Sequence, residues 1–308
     1  MLSDKPEFLL NSHDQSVTDT RQGIIFIILG LSIASMSGAI MKLLSDDLSV
    51  IQITWFRFCG FALIMLPIVI IRFGRSALKP ARPGIQVIRG LSMAAGASTF
   101  VIGVQTVEFA DAIAILYAYP FLLVILAVMF LGERTQYSAW FGVIGGFIGV
   151  LLVMRPEFKN LNTGTLWVFS SAVIISIQLF LNRKLGSLSH PFLTSLYGAL
   201  SAFVILTFFL PFHWQPINPD KIWLIGAMII CGAVSQILIV SSFAKTAAST
   251  LAPFTYFEIV AAVIIGYFVF GTLPGWISWV GISLITVSGL IVARCLPGRE
   301  SAPRSPKI

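Results

Sequence analysis

The sequence predicts an all-α polytopic membrane protein with ten transmembrane helices, arranged as two inverted five-helix repeats with both termini cytoplasmic. Three observations predict this fold class. Of the 308 residues, 57% are hydrophobic and only 11% are charged, whereas a soluble domain carries about 25% charged residues. The apolar residues form runs of membrane length, and the second half of the chain resembles the first. An ordinary soluble fold is therefore excluded.

The ten apolar runs are each about as long as the ~20 residues that a helix needs to cross a bilayer. Short connections separate them, so we expect no inserted soluble domain. A polar N-terminal tail (1–22) precedes two predicted repeats, 23–156 and 164–294, and a C-terminal tail (295–308) follows. The runs are 23–44, 48–72, 84–107, 111–131, 137–155, 164–183, 191–211, 221–243, 249–271 and 275–294.

The basic residues predict the orientation. With the N-terminus inside, the inner segments carry most of the Lys and Arg residues, whereas the outer segments carry only Arg155, Lys159 and Lys221, with Lys42 near an outer helix end. Cytoplasmic loops of membrane proteins carry an excess of Lys and Arg. The pattern therefore favours ten spans with both termini in the cytoplasm.

The two halves align at one fixed offset. Since each repeat holds an odd number of spans, the second enters the membrane in the opposite orientation, and transporters built this way bind substrate near the midplane. A shift of residues 101–155 by 139 positions, which carries Tyr119 to Glu258, aligns Tyr117 with Tyr256, Gly132 with Gly271, Trp140 with Trp279, Gly142 with Gly281, Leu151 with Leu290 and Arg155 with Arg294.

Glu258 is the acidic residue nearest the centre of a run. It lies about two residues from the middle of the ninth run, hence about 3 Å from the midplane. An ionised carboxylate facing lipid there costs about 2.5–3.5 kcal/mol, so we expect Glu258 to face protein or water. Small residues share its helix face and permit close helix packing. Either a structural, hydrogen-bonded acid or a cation or proton site fits this pattern.

Further polar residues lie in the apolar runs. Arg57 and Arg89 are candidates for pairing with Glu258 or for coupling, although Arg89 has the alternative of extending to the cytoplasmic surface. Tyr117 and Tyr119 either pack in the core or offer aromatic faces to a cationic ligand. Gln178 is a weaker candidate, because such residues often join helices by hydrogen bonds. Pro120 and Pro253 free backbone carbonyls and can break helices beside a cavity.

Several other function classes find no support. The three His residues are scattered over a tail and two loops, and no nucleotide-binding or zinc-protease motif occurs. We therefore expect no metal, no cofactor and no nucleic-acid partner. Cys59, Cys231 and Cys295 lie in or at the end of apolar runs, which is typical of packing residues.

Specific segments carry a family resemblance. They are FRF at 56–58, RPGIQVIRG at 82–90, ADAIAILYAYPF at 110–121, LGE at 131–133, WFGVIGGFIGVLLVMRP at 140–156, APFTYFEIV at 252–260, GYFVFG at 266–271 and WVGISLITVSG at 279–289. With these segments the chain resembles the EamA family of the drug/metabolite transporter superfamily over about 23–294. One departure is Thr272 after Gly271, which leaves the acid of the first repeat, Glu133, without a counterpart.

The resemblance implies ten helices in two inverted repeats and alternating access around a central cavity. That cavity would take in Tyr117, Tyr119, Gln178, Tyr256 and Glu258. FRF, the RP…RG segment, NRK at 182–184 and Tyr-x-Glu at 256–258 look like the S-adenosylmethionine-uptake branch. A midplane carboxylate and aromatic faces suit that ligand, which carries a sulfonium, an amino group and an adenine.

The sequence thus predicts a secondary transporter of a small polar metabolite in the bacterial inner membrane, in contact with membrane lipid and not an enzyme. An exporter of amino acids or related metabolites is an alternative, and a membrane-embedded enzyme is a distant one. Proton coupling and a homodimer stay open. A carboxyl group in a poorly hydrated site can change its protonation state near neutral pH, which would make Glu258 the coupling group.

Overall fold

The computed structural model describes residues 7–74, 83–131, 137–154, 162–185, 191–246 and 248–295. Apart from two short 3-10 turns near residues 210–221, the regular structure of these ranges is α-helical. The helices are α1 (Glu7–Leu44), α2 (Val50–Phe73), α3 (Pro83–Val104), α4 (Phe109–Leu116), α5 (Tyr119–Leu131), α6 (Tyr137–Met154), α7 (Thr163–Leu185), α8 (Pro191–Phe209), α9 (Ile222–Lys245), α10 (Ala248–Thr255), α11 (Phe257–Phe270) and α12 (Trp276–Cys295).

The helices agree with a multi-pass membrane protein. Within the described ranges, nine segments are long and apolar enough to cross a bilayer. The predicted fifth span coincides with α6, whose apolar part, Trp140–Met154, is shorter. The all-helical class is confirmed, while the count of ten spans and the cytoplasmic location of the termini remain predictions. Helix α1 begins at Glu7, within the predicted N-terminal tail.

Local sequence signals explain several helix ends. The Ser49 hydroxyl accepts a hydrogen bond from the Gln52 N–H at 3.2 Å and caps the start of α2. Gly271 ends α11 with φ 67°, the left-handed conformation that glycine adopts at helix C-termini. These ends set the lengths of two helices that contribute to the site described below.

The packing of the helices follows a two-fold pattern. α1 packs on α9, and α7 packs on α3. Helices α1 and α9 correspond to the predicted first and eighth spans, and α7 and α3 to the sixth and third. The repeat relation converts the first span into the sixth and the eighth into the third, so it converts one helix pair into the other. α6 packs on α12, the last helices of the two repeats. Two repeats related by a two-fold axis produce this arrangement.

Glycines allow α6 and α12 to approach closely. A Cβ added at Gly149 would lie 2.8 Å from the carbonyl oxygen of Gly281, and one added at Gly281 would lie 2.7 Å from that of Gly149. The two backbones are therefore in reciprocal contact. This agrees with a small-residue packing surface on the fifth span.

One lysine joins the two repeats at the end of the bundle that we predict to be outer. Lys42, in the last turn of α1, donates a hydrogen bond from Nζ to the Val107 carbonyl at 2.5 Å. The same ammonium lies 5.3 Å from the ring centroid of Phe270, the last residue of α11. It therefore links α1 to the α3–α4 connection and to α11.

Candidate functional site

Two helices are interrupted at equivalent positions. α4 ends at Leu116, and Tyr117 and Ala118 form a turn before α5 begins at Tyr119. α10 ends at Thr255, and Tyr256 forms a turn before α11. The offset of 139 positions that relates the halves carries Tyr117 to Tyr256. The predicted fourth and ninth spans are thus discontinuous at the same place in each repeat.

The backbone shows how the first interruption forms. Pro120 is the second residue of α5 and has no N–H, so it cannot bond to the carbonyl four residues earlier. The preceding turn is tightened instead, since the Ala118 N–H bonds to the Ile115 carbonyl at 3.0 Å. In the second interruption, the Ile259 N–H bonds to the Tyr256 carbonyl at 3.1 Å in the same i to i−3 pattern.

Three tyrosines meet where the interruptions come together. We call Tyr117, Tyr119 and Tyr256 the tyrosine cluster. The Tyr117 ring centroid lies 5.3 Å from that of Tyr256 and 5.6 Å from that of Tyr119. Tyr117 has no exposed surface. The Tyr256 hydroxyl lies against Gly289 of α12, where an added Cβ would overlap it.

Glu258 is bonded to the tyrosine cluster. The Tyr117 hydroxyl lies 2.9 Å from Oε2 of Glu258, and it also contacts the carbonyl oxygen of Thr255. Because Tyr117 is fully buried, the carboxylate that it holds lies inside the bundle and not against lipid. Glu258 is in the first turn of α11, where the helix dipole favours a negative charge.

This geometry has a chemical consequence. A phenol has one hydrogen to donate, and the Tyr117 hydroxyl faces two acceptors, the Thr255 carbonyl and the ionised Glu258 carboxylate. When Glu258 is protonated, its hydroxyl can donate to the Tyr117 oxygen, and Tyr117 can then donate to Thr255. The hydrogen-bond pattern at the helix interruption therefore depends on the protonation state of Glu258.

Arg57 is the arginine that interacts with Glu258. Its charge and that of Glu258 interact electrostatically, although among the described residues the two form no ion pair within 4.0 Å. Nη1 of Arg57 lies 3.0 Å from Sδ of Met41 on α1. Met41 has no exposed surface, so this guanidinium also lies inside the bundle.

Arg89 and Gln178 form no hydrogen bond with the tyrosine cluster in the described ranges. Arg89 is buried in α3, with 4% of its surface exposed, and Nη1 donates to the Thr194 carbonyl of α8. It therefore does not extend to the surface. Gln178 is partly buried on α7.

Sequence reasoning missed three contacting groups. Thr255 was not among the predicted site residues, yet its carbonyl contacts Tyr117. The repeat offset could have identified it as the residue before the interruption. Gly289, against Tyr256, and Met41, against Arg57, carry no signal that distinguishes them from other packing residues.

An apolar groove of about 420 Å³ adjoins the site. It runs between α10–α11 and α12, and its walls include Tyr256, Val260 and Trp279. Val260 and Trp279 are about half exposed and belong to membrane-length helices, so the groove opens toward lipid. Glu258 is not among its lining residues. We place the polar chemistry at the tyrosine cluster for that reason.

Discontinuous helices that meet near an intramembrane carboxylate are typical of secondary transporters. The sequence pattern of the EamA-like transporter family matches residues 21–155 and 162–294, and the chain belongs to this family. The two matched segments agree with the internal repeat found in the sequence. The family resemblance is thereby confirmed.

Individual proteins of known name or structure are also similar to this chain. The chain is 28% identical over 252 residues to the S-adenosylmethionine uptake transporter of Rickettsia prowazekii, covering 82% of this chain and 85% of that relative. It is 24% identical over 257 residues to the riboflavin transporter of Rhizobium johnstonii, covering 79% and 81%. A protein of known crystal structure has the same fold, with a TM-score of 0.64 at 16% identity, over 91% of this chain and 99% of that one.

Proposed function

We propose that the protein is a secondary transporter that moves a small cationic metabolite across the bacterial inner membrane by alternating access. S-adenosylmethionine is the substrate that we favour. The observation that carries this proposal is the position of Glu258, whose carboxylate is bonded to Tyr117 between the two helix interruptions. Intramembrane carboxylates of this kind mark substrate and ion pathways.

The chemistry of the site suits a cation with aromatic surroundings. Glu258 supplies a negative charge, and Tyr119, which packs on the Tyr117 ring, keeps part of its surface accessible. Aromatic faces attract sulfonium and ammonium groups, and they stack on planar rings such as adenine. Two relatives that this chain matches over 85% of their length are named as S-adenosylmethionine uptake transporters, which supports the same substrate for this chain.

Glu258 also serves as the proton site in this proposal. A proton on Glu258 and a cation beside it exclude each other, because the protonated carboxyl has no charge to offer. Binding of the cation would release the proton and would move the Tyr117 hydrogen from Thr255 to the carboxylate. This change occurs at the interruption between α10 and α11, where a helix can bend with little loss of hydrogen bonding.

Uptake of labelled S-adenosylmethionine into proteoliposomes tests the proposal. Glu258→Gln should lower the initial rate by about ten-fold or more, since a hydrogen bond to a charged group is worth about 1.5–3 kcal/mol. Glu108→Gln is the matched control, because Glu108 is exposed at the start of α4. It should transport normally. Normal uptake by Glu258→Gln at every pH would remove the central role of Glu258.

A riboflavin-like substrate is the second candidate. The tyrosine cluster can stack on a planar flavin ring, and a relative is named as a riboflavin transporter. Flavin lacks a fixed positive charge, so its binding should tolerate Glu258→Gln. Thermal-shift titrations with S-adenosylmethionine and riboflavin, on the wild type and on this variant, separate the two substrates.

A further inference from the structure

Two opposite charges lie inside the bundle without direct contact. Arg57 on α2 and Glu258 on α11 interact electrostatically, yet the described residues show no ion pair between them within 4.0 Å. Arg57 contacts Met41 of α1, and α1 packs on α11, which carries Glu258. The two charges therefore lie beside the same helix, in reach of one small molecule.

Each charge contacts a fully buried residue, although neither charged residue is itself fully buried. The fully buried Tyr117 holds the carboxylate of Glu258, and the fully buried Met41 contacts the guanidinium of Arg57. Both charged side chains nevertheless keep part of their surface accessible.

Among the described residues, the hydrogen-bond partner of Arg57 is the sulfur of Met41, which leaves several of its donors unused. A guanidinium carries five N–H donors, and the thioether sulfur of Met41 is a weak acceptor. An arginine so placed in a membrane interior needs an acceptor of opposite charge, because an unpaired intramembrane charge is costly. The planar donor fork of arginine matches a carboxylate, which it binds through two parallel hydrogen bonds.

We infer that Arg57 and Glu258 form a two-point site for the amino-acid group of the substrate. Arg57 binds the α-carboxylate, and Glu258 binds the ammonium group or a neighbouring cation. The substrate class is accordingly an α-amino acid or an amino-acid conjugate and not a simple amine. This inference rests on the proposed transport function and extends it to the second charge.

Paired ligands that differ only in the carboxylate test the inference. Binding of S-adenosylmethionine and of decarboxylated S-adenosylmethionine to the purified full-length protein is measured by calorimetry. The wild type should prefer the carboxylate form by about ten-fold or more, as a charge-assisted hydrogen-bonded pair implies. Arg57→Gln should abolish this preference by weakening S-adenosylmethionine alone, and Arg57→Lys should retain part of it.

Arg89→Gln is the matched control. Arg89 is another arginine buried within a membrane-length helix, and it contacts the Thr194 backbone of α8. Its substitution should leave the preference for the carboxylate unchanged. Equal weakening of both ligands by Arg57→Gln would show a structural role only and would overturn the inference. If Arg57→Gln does not fold, Arg57→Lys is measured instead. A reduced preference of Arg57→Lys for the carboxylate form supports the inference, and a preference equal to that of the wild type overturns it.

The experiment distinguishes a wrong substrate from a wrong two-point site. If the wild type binds neither adenosyl compound, S-adenosylmethionine is not the substrate. Methionine and 3-(methylthio)propylamine then form the equivalent pair, since they too differ only in the carboxylate. A wild type that binds the amine as tightly as the amino acid would contradict the two-point site in either case.

Discussion

At the scale of single residues, Tyr117 connects the two interrupted helices. Its hydroxyl contacts the Thr255 carbonyl and the Glu258 carboxylate, and its ring packs on Tyr256. Tyr117 itself lies at the interruption of the first repeat, while all three partners lie at that of the second. The residue is therefore positioned to transmit the protonation state of Glu258 to the backbone of α10.

Removal of the Tyr117 hydroxyl should affect the coupling of transport to protons more than the binding of the substrate. In Tyr117→Phe, the protonation state of Glu258 no longer decides whether the Thr255 carbonyl has a donor. We expect uptake to persist at a reduced rate and to depend less strongly on a proton gradient, because the proton on Glu258 still competes with the cation but no longer acts on the α10 backbone. Uptake into proteoliposomes with and without an imposed pH gradient measures this.

Tyr267→Phe provides the comparison for that experiment. Tyr267 is 51% exposed on α11, so the same loss of a hydroxyl occurs away from the cluster. This variant should keep the gradient dependence of the wild type. Gradient-dependent uptake by Tyr117→Phe, equal to that of Tyr267→Phe, would contradict the role of the hydroxyl.

The sequence identified part of this site and left part unresolved. Glu258 and the tyrosines were predictable because the depth of a charge and the repeat offset are both visible in the chain. Arg57 and Arg89 could not be separated, because α2 and α3 carry apolar residues on most of their faces. Such helices give no sequence signal for their rotation about the axis, and rotation decides where an arginine points.

At the scale of helices, the α6–α12 contact relies on the absence of side chains. A Cβ added at Gly149 or at Gly281 would lie closer to the backbone of the other glycine than a van der Waals contact allows. We predict that Gly281→Ala lowers the melting temperature of the purified protein, because an overpacked contact costs about 1–3 kcal/mol. Thermal unfolding in detergent, followed by tryptophan fluorescence, measures the change.

Gly226→Ala is the control for this contact. An added Cβ at Gly226, in α9, meets no atom within 4 Å. That substitution should leave the melting temperature unchanged or raise it slightly, since alanine favours helix over glycine by about 1 kcal/mol. Equal melting temperatures for the two variants would show that the glycine contact is not close in the folded protein.

The helix interruptions show what local sequence can and cannot reveal. Pro120 predicts the first interruption through its missing N–H. Pro253 lies three residues before the second interruption, within α10, so the proline alone misplaces that turn. The repeat offset locates it correctly at Tyr256. Comparison between the halves was thus more informative here than either proline by itself.

At the scale of the whole molecule, the two repeats contribute different groups to one site. The first repeat supplies the tyrosine pair Tyr117 and Tyr119 together with Arg57, and the second supplies Glu258 and Tyr256. The internal symmetry of the fold thus brings equivalent backbone interruptions together, while divergence of the side chains supplies the opposite charges of the proposed two-point site. A transport site with opposite charges can bind a zwitterion, which a symmetric pair of acids could not do.

Exchange of a proton on Glu258 for the substrate is the central step of the proposed transport. Calorimetry of S-adenosylmethionine binding to the purified protein, in two buffers of different ionisation enthalpy, measures both affinity and proton release. We predict that the wild type releases protons on binding, and that Glu258→Gln binds about ten-fold or more weakly and releases none. Equal affinity and equal proton release in the two proteins would contradict the account.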